Sequence, residues 1–321
     1  MKANVFIFIT IFTLLIGCSK KENAKSDLID MSLCGQVKSV TSISYKAQDK
    51  FGEIIKGERE MFYSGEKFGT EKDKYTIFNS QGNKIEETCY NSDGSLYSKE
   101  TYRYDKNGNK IEIDRHESDY ILDVKSLYKF NSEGFLIEEN RYFSDGSLIS
   151  KSNYKYDDKG NQIEENKYDS DGSLNSKSIY KYDTKGHKIE NKYYDANGKL
   201  NGWIVLCKYD EKGNQIEISL NNQDGSLFSK NIFEYDNKGN KLERNDYNSD
   251  NQLEMKINYK YDNMGNEIES IQNYTLINEP HSPDKSTYKY VFDDKNNWIS
   301  MTEFINEVPQ HIIERDIKYF K

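Results

Sequence analysis

Acidic residues recur next to glycines along this chain, in a pattern that could in principle bind calcium. The phrase Ser-Asp-Gly-Ser begins at Ser92, Ser144 and Ser170, and Gln-Asp-Gly-Ser begins at Gln223. An EF-hand loop needs acidic or amide residues at its first, third and fifth positions, then glycine, and a glutamate six residues after that glycine. Each phrase here has too few acids and places glycine directly after its Asp. The pattern therefore predicts plain hairpin turns and no metal site.

The residue types used in catalysis are present but are not arranged for it. Adjacent acids such as Glu164 and Glu165 recur with the repeat described below. Neighbouring residues of a strand point to opposite faces, so such a pair cannot act as one acid–base couple. The four His residues lack a recurring Ser, Cys or Asp partner, and the sequence contains neither Gly-x-Ser-x-Gly nor a glycine-rich phosphate loop. We expect a protein that is not an enzyme and needs no cofactor.

Aromatic side chains are the most abundant groups that could contact a ligand. The chain contains 26 Tyr and 15 Phe, and the pair Tyr154 and Tyr156 recurs one repeat later at Tyr180 and Tyr182. Aromatic rows on neighbouring strands stabilise sheets by roughly 0.2–1 kcal/mol per pair. The same rows could also stack on sugar rings or meet a protein partner. Both interpretations stay open at this point.

Positions that break the repeat are better candidates for a binding site. Trp203 begins the longest apolar run outside the N-terminal residues, although a buried strand would also explain that run. Trp298 follows a segment that contains Pro280 and Pro283, and Tyr120 lies where one repeat has Glu-Ser-Asp-Tyr-Ile-Leu in place of its Asp-Gly turn. We take Trp203, Trp298 and Tyr120 as the candidate binding residues.

The elements that position these residues follow from a regular repeat. The glycines of successive Asp-x-x-Gly or Asn-x-x-Gly phrases lie 26 residues apart, with one step of 27, at Gly82, Gly108, Gly134, Gly160, Gly186, Gly213, Gly239 and Gly265. A second turn follows most of these glycines by twelve residues. Between the turns the residue types alternate with a period of two, so that Leu174, Ser176 and Tyr180 share one face of a strand.

Each repeat is therefore predicted to be one β-hairpin plus the turn to the next. Asp157 can accept hydrogen bonds from its own turn, and Gly160 supplies the left-handed residue of a type I turn with a bulge. The Asp171-Gly172 pair favours a primed two-residue turn. Nine copies predict about eighteen antiparallel strands, each roughly 30 Å long. The predicted fold is all-β, a repetitive antiparallel β-hairpin array that forms an extended or coiling meander sheet.

The composition limits the classes of partner. Hydrophobic residues make up 35% of the chain and charged residues 31%, and the mean hydropathy is −0.95, so a thick closed core is not expected. The net charge is −9 and the pI is about 5.2. Lys and Glu interleave along the whole chain without forming a basic cluster. We therefore expect no nucleic-acid partner.

The N-terminal residues have the pattern of an export signal. Lys2 precedes an apolar run from Val5 to Ile16, and the run ends in Leu-Ile-Gly-Cys at Cys18. The run is shorter than the roughly 20 residues that span a bilayer. This segment resembles the signal and lipobox of bacterial lipoproteins. The resemblance implies export, cleavage before Cys18 and acylation of Cys18, which would anchor the mature chain in a lipid bilayer. An uncleaved signal anchor is the alternative.

The repeat also resembles a known family. Tyr-x-Tyr-Asp-x-x-Gly-Asn begins at Tyr102, Tyr154 and Tyr259, and close variants have Phe for Tyr or His for Asn. It is similar to the YD repeat of bacterial RHS-type proteins over about residues 75–297; MORN-like hairpin repeats match less well. The resemblance implies a long coiling β-sheet, which some members close into a shell around a toxin. Nine hairpins are few for such a shell, and the resemblance does not imply a toxin here.

These predictions divide the chain into four segments. Residues 1–18 are the predicted lipoprotein signal peptide, 19–32 a polar tether, 33–74 irregular capping hairpins, and 75–321 the repeat domain with a C-terminal cap. The expected location is the bacterial cell envelope, with the outer membrane favoured and the leaflet left open. We expect a membrane-anchored, non-catalytic scaffold that binds an envelope protein or a glycan through an extended β surface. The alternative is a component of an RHS-type toxin or immunity system.

Overall fold

The structure is a computed structural model that describes residues 26–59, 62–63, 70–71, 73–118, 123–275 and 282–321. The predicted signal peptide with Cys18, residues 19–25 of the predicted tether, and Tyr120 lie outside these residues. Strands account for 64% of the chain and helix for 1%, which confirms the all-β prediction. In the described ranges no helix is both long and apolar enough to cross a membrane.

The described residues form one helical turn and 23 strands. In chain order they are α1 (Asp27–Asp30), β1 (Val37–Lys50), β2 (Glu53–Arg59), β3 (Phe62–Tyr63), β4 (Thr70–Glu71), β5 (Asp73–Phe78), β6 (Lys84–Tyr90), β7 (Leu96–Tyr104), β8 (Lys110–Glu117), β9 (Val124–Phe130), β10 (Leu136–Phe143), β11 (Leu148–Tyr156), β12 (Gln162–Asp169), β13 (Leu174–Tyr182), β14 (Lys188–Asp195), β15 (Ile204–Tyr209), β16 (Gln215–Asn221), β17 (Leu227–Tyr235), β18 (Lys241–Tyr247), β19 (Leu253–Tyr261), β20 (Glu267–Tyr274), β21 (Asp284–Phe292), β22 (Trp298–Ile305) and β23 (Val308–Tyr319).

Twenty of these strands form one closed antiparallel ring. Strands β5 to β23 follow one another as a meander in which each strand pairs with the next. The long strand β1 then pairs with β23 on one side and with β5 on the other, so that Val40 lies between Ile317 and Thr76. The sheet is therefore closed into a barrel of 20 strands. This closure settles the choice between an open and a closed sheet that the sequence left open.

The first turn of each repeat has the predicted geometry. In the turn after β11, one carboxylate oxygen of Asp157 accepts hydrogen bonds from the backbone N–H groups of Lys159 and Asn161, at 3.0 and 2.8 Å. Gly160 has a φ of +84°, a left-handed conformation that glycine adopts without steric cost. The turn thus combines a side-chain cap with a glycine, as the sequence predicted.

The second turn differs from the predicted primed turn. Gly172 donates its backbone N–H to the carbonyl oxygen of Asp169 at 3.0 Å. The backbone N–H of Asp169 donates to the carbonyl oxygen of Ser173, also at 3.0 Å. A type I′ turn needs positive φ at both central residues, but of the Asp171-Gly172 pair only Gly172 has positive φ. The Asp171 carboxylate accepts the Ser173 N–H at 2.8 Å, which favours a four-residue turn ending in a left-handed glycine. Both turns of the repeat therefore share one backbone geometry.

The turns lie at the two ends of the ring. Because consecutive strands are antiparallel, the Asp-x-x-Gly turns gather at one end, which we call the first rim. It contains the turns of Gly82, Gly108, Gly134, Gly160, Gly186, Gly213, Gly239, Gly265 and Asn296. The opposite end, the second rim, contains the turns of Gly94, Gly146, Gly172, Gly198, Gly225 and Asn251 and the ends of β8, β9, β20 and β21.

One face of the sheet, the charged face, carries rows of Lys and Glu. Lys155 lies opposite Glu164 on the next strand, and Lys177 approaches the same carboxylate from the strand beyond, with N–O distances of 2.7 Å on both sides. Partial burial alone would raise the pKa of Glu164, but hydrogen bonds from Lys155 and Lys177 outweigh it and lower the pKa to about 2. The interleaved Lys and Glu of the sequence thus neutralise each other across strands.

The other face, the tyrosine face, carries Tyr154, Tyr156 and their equivalents. Tyr154 lies opposite Glu165 in the strand register, and Tyr180 donates its hydroxyl to Glu165 at 3.1 Å. These bonds place the tyrosine hydroxyls within the hydrogen bonding of the sheet. The rows therefore have a structural role on the tyrosine face, as one of the two interpretations proposed.

Apolar packing is concentrated where β1 closes the ring. One cluster of buried side chains contains Leu28, Leu33, Val37, Val40 and Phe78. The Asp27 carboxylate accepts the backbone N–H of Lys84 at 2.6 Å and the hydroxyl of Tyr104 at 3.1 Å. Within the described chain, the strands that contact each other extensively are neighbours in the ring, together with β1 and β2. Stability therefore comes from neighbour-to-neighbour contact and from this closure, as expected for a repeat array.

Candidate functional site

The breaks in the repeat gather at the second rim. At the first rim an Asp or Asn begins every one of the nine turns and caps its backbone. The second rim contains the connection that ends in Trp203, and Ser118 and Asp123, which flank the segment of Tyr120. Binding residues concentrate on irregular loops that a rigid scaffold holds in place. The second rim is therefore the candidate site.

The extra residue of the 27-residue step widens the connection between β14 and β15. These strands pair only at Glu190 with Leu206 and at Asn191 with Val205. Tyr194 also bridges Leu200, and Asn201 donates its backbone N–H to the Tyr193 carbonyl oxygen at 2.8 Å, so the ladder is interrupted at Gly202 and Trp203. The run after Trp203 is a strand, but Leu206 within it is 36% exposed. The run is thus a half-buried strand, between the two interpretations that the sequence left open.

Trp203 packs against an aromatic residue that the sequence analysis did not select. Its ring lies 4.6 Å from that of Phe228, centroid to centroid, at an interplanar angle of 31°. Asn221 pairs with Leu227 and Leu220 pairs with Ser229, so Phe228 is the extra residue of a bulge. Phe228 is 44% exposed. The equivalent positions of other repeats are Tyr97, Ile149 and Asn175, so no feature of the sequence singles out Phe228.

A shallow cleft of about 540 Å³ lies beside Trp203, and we call it the Trp203 cleft. Its lining residues are Gly202, Trp203, Asn222, Gln223 and Asp224. The side-chain amide of Gln223 donates to the carbonyl oxygen of Leu200 at 2.9 Å. This bond ties the turn after β16 to the connection before β15. The two walls of the cleft are therefore held at a fixed separation.

The polar wall of the Trp203 cleft is rich in hydrogen-bond acceptors. Ser226 donates its backbone N–H and its hydroxyl to one carboxylate oxygen of Asp224, at 2.9 and 2.6 Å. These two bonds lower the pKa of Asp224, so it is ionised at neutral pH. Asn222 donates its side-chain NH₂ to the Ser226 hydroxyl at 2.9 Å. The side-chain amide oxygens of Asn222 and Gln223 accept no hydrogen bond from the described residues.

A second pocket of about 580 Å³ lies further along the same rim, on the charged face. Its walls include the apolar side chains of Leu127 and Tyr142 and a His116–Asp123 contact. Lys125 in this pocket lies 3.1 Å from Glu112 and 3.4 Å from Asp114. The positive charge of Lys125 is thus balanced by neighbouring carboxylates. The pocket has mixed charge and no excess of either sign that would select an ion.

The structure does not bring Trp298 together with Trp203. Trp298 begins β22 at the first rim, whereas Trp203 lies at the second rim. The guanidinium carbon of Arg315 lies 3.2 Å from the Trp298 ring centroid, and Trp298 packs against a cluster that includes Met301 and Ile313. A binding role for Trp298 stays a prediction, as does one for Tyr120.

A buried carboxyl group further along the strand of Trp298 was also missed from sequence. Glu303 is 5% exposed and faces Tyr288 on β21 and His311 on β23 in the strand register. Burial raises its pKa to about 7, with a hydrogen bond from Tyr288 opposing the rise. No described cluster of three His, Cys, Asp or Glu residues could hold a metal ion. Cys34, Cys89 and Cys207 are free thiols.

Comparison with known proteins leaves the activity of this chain unassigned. No protein-family model and no curated protein matches it. Among solved structures it is similar to the complex "TcdB2-TccC3-Cdc42", with 12% identity and a TM-score of 0.29 over 74% of this chain and 16% of that chain. It is also similar to a porin-like protein from Bacteroides uniformis, with 11% identity and a TM-score of 0.31 over 88% of this chain and 96% of that chain. A porin-like protein from Bacteroides vulgatus has 14% identity and a TM-score of 0.29 over 88% and 98%. The strand pairing of this chain itself makes it a β-rich repeat protein.

Proposed function

We propose that this protein is a lipid-anchored, non-catalytic scaffold of the bacterial cell envelope that binds a partner through its second rim. The partner is an envelope glycan or protein. The observation that carries the proposal is the Trp203 cleft, where an aromatic pair is left accessible at a break in the repeat. Trp203 and Phe228 lie at an irregular connection that a regular sheet holds in place, which is where binding residues concentrate.

The anchoring part of the proposal rests on the N-terminal sequence. The lipobox-like Leu-Ile-Gly-Cys supports acylation at Cys18, and more than one acyl chain gives stable attachment to a bilayer. Metabolic labelling with an alkyne analogue of palmitate tests it. We expect label in the natural chain and none in Cys18→Ala. Equal labelling of both, or of neither, would contradict lipid attachment at Cys18.

The side chains of the second pocket support a binding role over a catalytic one. His116 contacts Asp123, and Ser144 lies in the same pocket, which together are the residue types of a nucleophilic triad. In the described chain no hydrogen bond joins the Ser144 hydroxyl to His116. The side chains of His116 and Asp123 are 55% and 50% exposed, whereas an effective catalytic pair is held away from water.

The binding role can be tested with one variant at each rim. The natural chain, Trp203→Ala and Lys159→Ala are immobilised and exposed to solubilised envelope fractions and to a glycan array. Lys159 is exposed at the first rim and serves as the control. We expect reproducible binding that Trp203→Ala weakens and Lys159→Ala leaves unchanged. Binding that Trp203→Ala does not weaken would contradict a role of the second rim. The absence of a reproducible partner in both assays would contradict it as well.

The alternative function is a component of an RHS-type toxin or immunity system. It rests on the likeness of the Tyr-x-Tyr-Asp-x-x-Gly-Asn phrases to the YD repeat. Membership of that family is itself part of the proposal. Neighbouring genes distinguish the two functions, because adjacent toxin or secretion genes would favour the alternative, and genes for polysaccharide or surface assembly would favour the scaffold.

A further inference from the structure

The shape of the Trp203 cleft combines one apolar wall with one polar wall. Phe228 packs against Trp203 at a tilt of 31° and does not line the cleft, so it supports the indole from outside. An aromatic ring held on one side presents a rigid apolar surface on its remaining sides. The facing turn contributes Asn222, Gln223 and Asp224. A ligand for this cleft therefore needs one apolar face and a polar edge.

The polar wall selects a ligand that donates hydrogen bonds. The amide NH₂ groups of Asn222 and Gln223 are already used within the protein. Their amide oxygens, and the second carboxylate oxygen of Asp224, accept no bond from the described residues. Beside the cleft, Asn221 pairs with Ile204 in the register, and its side-chain oxygen is buried without a hydrogen-bond partner in the described chain. The wall thus offers several acceptors and few donors.

The charge of Asp224 disfavours anionic ligands in the Trp203 cleft. Asp224 occupies the position before its turn glycine. Asp250 has the same position in the next turn along the rim, Asn197 has it in the preceding turn, and Asp93, Asp145 and Asp171 have it in turns further away. A hydrogen bond from Ser173 to Asp171 lowers the pKa of that residue as Ser226 does for Asp224, so the turns carry negative charge at neutral pH. Like charges disfavour an acidic ligand at this rim.

We infer that the Trp203 cleft binds a neutral sugar ring of a glycan, with the ring's C–H face on Trp203 and its hydroxyl groups donating to Asn222, Gln223 and Asp224. A neutral pyranose ring has both an apolar C–H face and a donor-rich edge, whereas an aliphatic ligand lacks the donors and an acidic sugar adds a charge of the same sign as Asp224. The cleft is also preformed, because the Gln223–Leu200 bond fixes its walls and little ordering is needed on binding. This inference rests on the proposed binding function and names the class of its ligand.

The protein contains only two Trp residues, which provides a direct assay. In the full chain with Trp298→Phe, Trp203 is the single tryptophan reporter. The probes are neutral oligomers of glucose, galactose, mannose and N-acetylglucosamine, with polygalacturonate as the acidic comparison. We expect at least one neutral oligomer to shift the Trp203 emission with saturation and polygalacturonate to leave it unchanged.

Variants of the cleft identify the contacts. We expect Trp203→Ala to weaken binding of the neutral oligomer at least tenfold by calorimetry, Trp203→Phe to retain part of the affinity, and Asp224→Asn to reduce the discrimination against polygalacturonate. Unchanged circular dichroism confirms that each variant folds. Preference for polygalacturonate, or neutral binding that Trp203→Ala leaves intact, would overturn the inference.

The outcome of the envelope assay separates this inference from the proposed function. If an envelope protein binds in a Trp203-dependent way and no neutral oligomer does, the sugar site is wrong and the scaffold function stands. If neither the oligomers nor envelope material depends on Trp203, both are wrong.

Discussion

The hydroxyl of Tyr182 on β13 donates a hydrogen bond to the backbone carbonyl oxygen of Gln162 on the neighbouring strand β12, 2.7 Å away. Gln162 pairs with Tyr156 while Glu164 pairs with Lys155, so the ladder bulges immediately after Gln162. The same bond recurs in other repeats, joining Tyr104 to Lys84, Tyr156 to Leu136, Tyr209 to Lys188, Tyr235 to Gln215 and Tyr290 to Glu267. In these repeats the second Tyr thus holds the bulge of the hairpin before it, whereas Phe130 has no hydroxyl at the equivalent position.

Removal of one of these hydroxyls should have a measurable cost. We expect Tyr182→Phe to lower the free energy of unfolding by about 1 kcal/mol, because the Gln162 carbonyl loses its hydroxyl donor while the aromatic packing remains. Tyr168→Phe is the matched control, since the Tyr168 hydroxyl makes no hydrogen bond within the described chain. Urea denaturation of both variants measures the difference. Equal effects of the two substitutions would show that the bond makes no net contribution to the free energy of unfolding.

Glycines of the two rims should differ in their tolerance of a methyl group. Gly160 and Gly172 have φ of +84° and +82°, so alanine is strained to the same extent at both. A Cβ at Gly160 would lie 2.6 Å from the Phe135 ring, whereas a Cβ at Gly172 would meet nothing within 4 Å. Phe135 stacks on Tyr156 with centroids 4.9 Å apart, which restricts its movement.

We therefore expect Gly172→Ala to cost about 1 kcal/mol of stability and Gly160→Ala to cost about 1–3 kcal/mol more through overpacking. Thermal or urea unfolding of the two variants, each compared with the natural chain, measures the gap. Equal stability of the two variants would mean that Phe135 moves aside freely, and the close contact between Gly160 and Phe135 would be wrong.

The buried Glu303 should make stability depend on pH in a defined direction. Its pKa is about 7 in the fold against 4.5 as an ordinary Glu, so the folded state disfavours the ionised form. Below pH 4.5 the group is protonated in both states and costs nothing. As the pH rises from 4.5 through 7, the unfolded state ionises first and the free energy of unfolding falls.

We expect Glu303→Gln to remove this loss, so that its stability relative to the natural chain improves between pH 4 and pH 8 by up to about 3 kcal/mol. The neighbouring Tyr288, His311 and Glu267 are unchanged in this comparison and serve as the common background. Urea denaturation at both pH values gives the answer. A constant difference between the two proteins across this range would show that Glu303 is ionised in the fold.

Periodic features of this protein could be predicted from sequence because they depend on local chemistry. The spacing of Gly160 and its equivalents gives the strands and the first turn, since a left-handed glycine after a capping Asp determines the backbone locally. The second turn was assigned wrongly because the Asp171-Gly172 pair is compatible with two turn types. The choice between them depends on the hydrogen bond from Ser173 to the Asp171 carboxylate.

Features that join distant parts of the chain could not be predicted in the same way. Ring closure depends on β1, which lies outside the repeat and pairs with strands near both ends of it. The contact between Trp203 and Phe228 requires a bulge in β17 that leaves Phe228 at the surface. Trp203 could be selected because it breaks the repeat, whereas Phe228 and Glu303 fall within it.

Closure of the ring by β1 is most directly tested by disulfide trapping in a chain with Cys34, Cys89 and Cys207 replaced by Ser. One variant carries Ser42→Cys with Lys74→Cys, which joins β1 to β5, and the other carries Thr41→Cys with Asp316→Cys, which joins β1 to β23. Paired antiparallel residues have Cα atoms about 4.5–5.5 Å apart, within the range that a disulfide bridges. Mass spectrometry of the non-reduced proteins should find an intramolecular disulfide in both variants. A disulfide in the β1–β23 variant with free or intermolecular thiols in the β1–β5 variant would mean that the sheet is open.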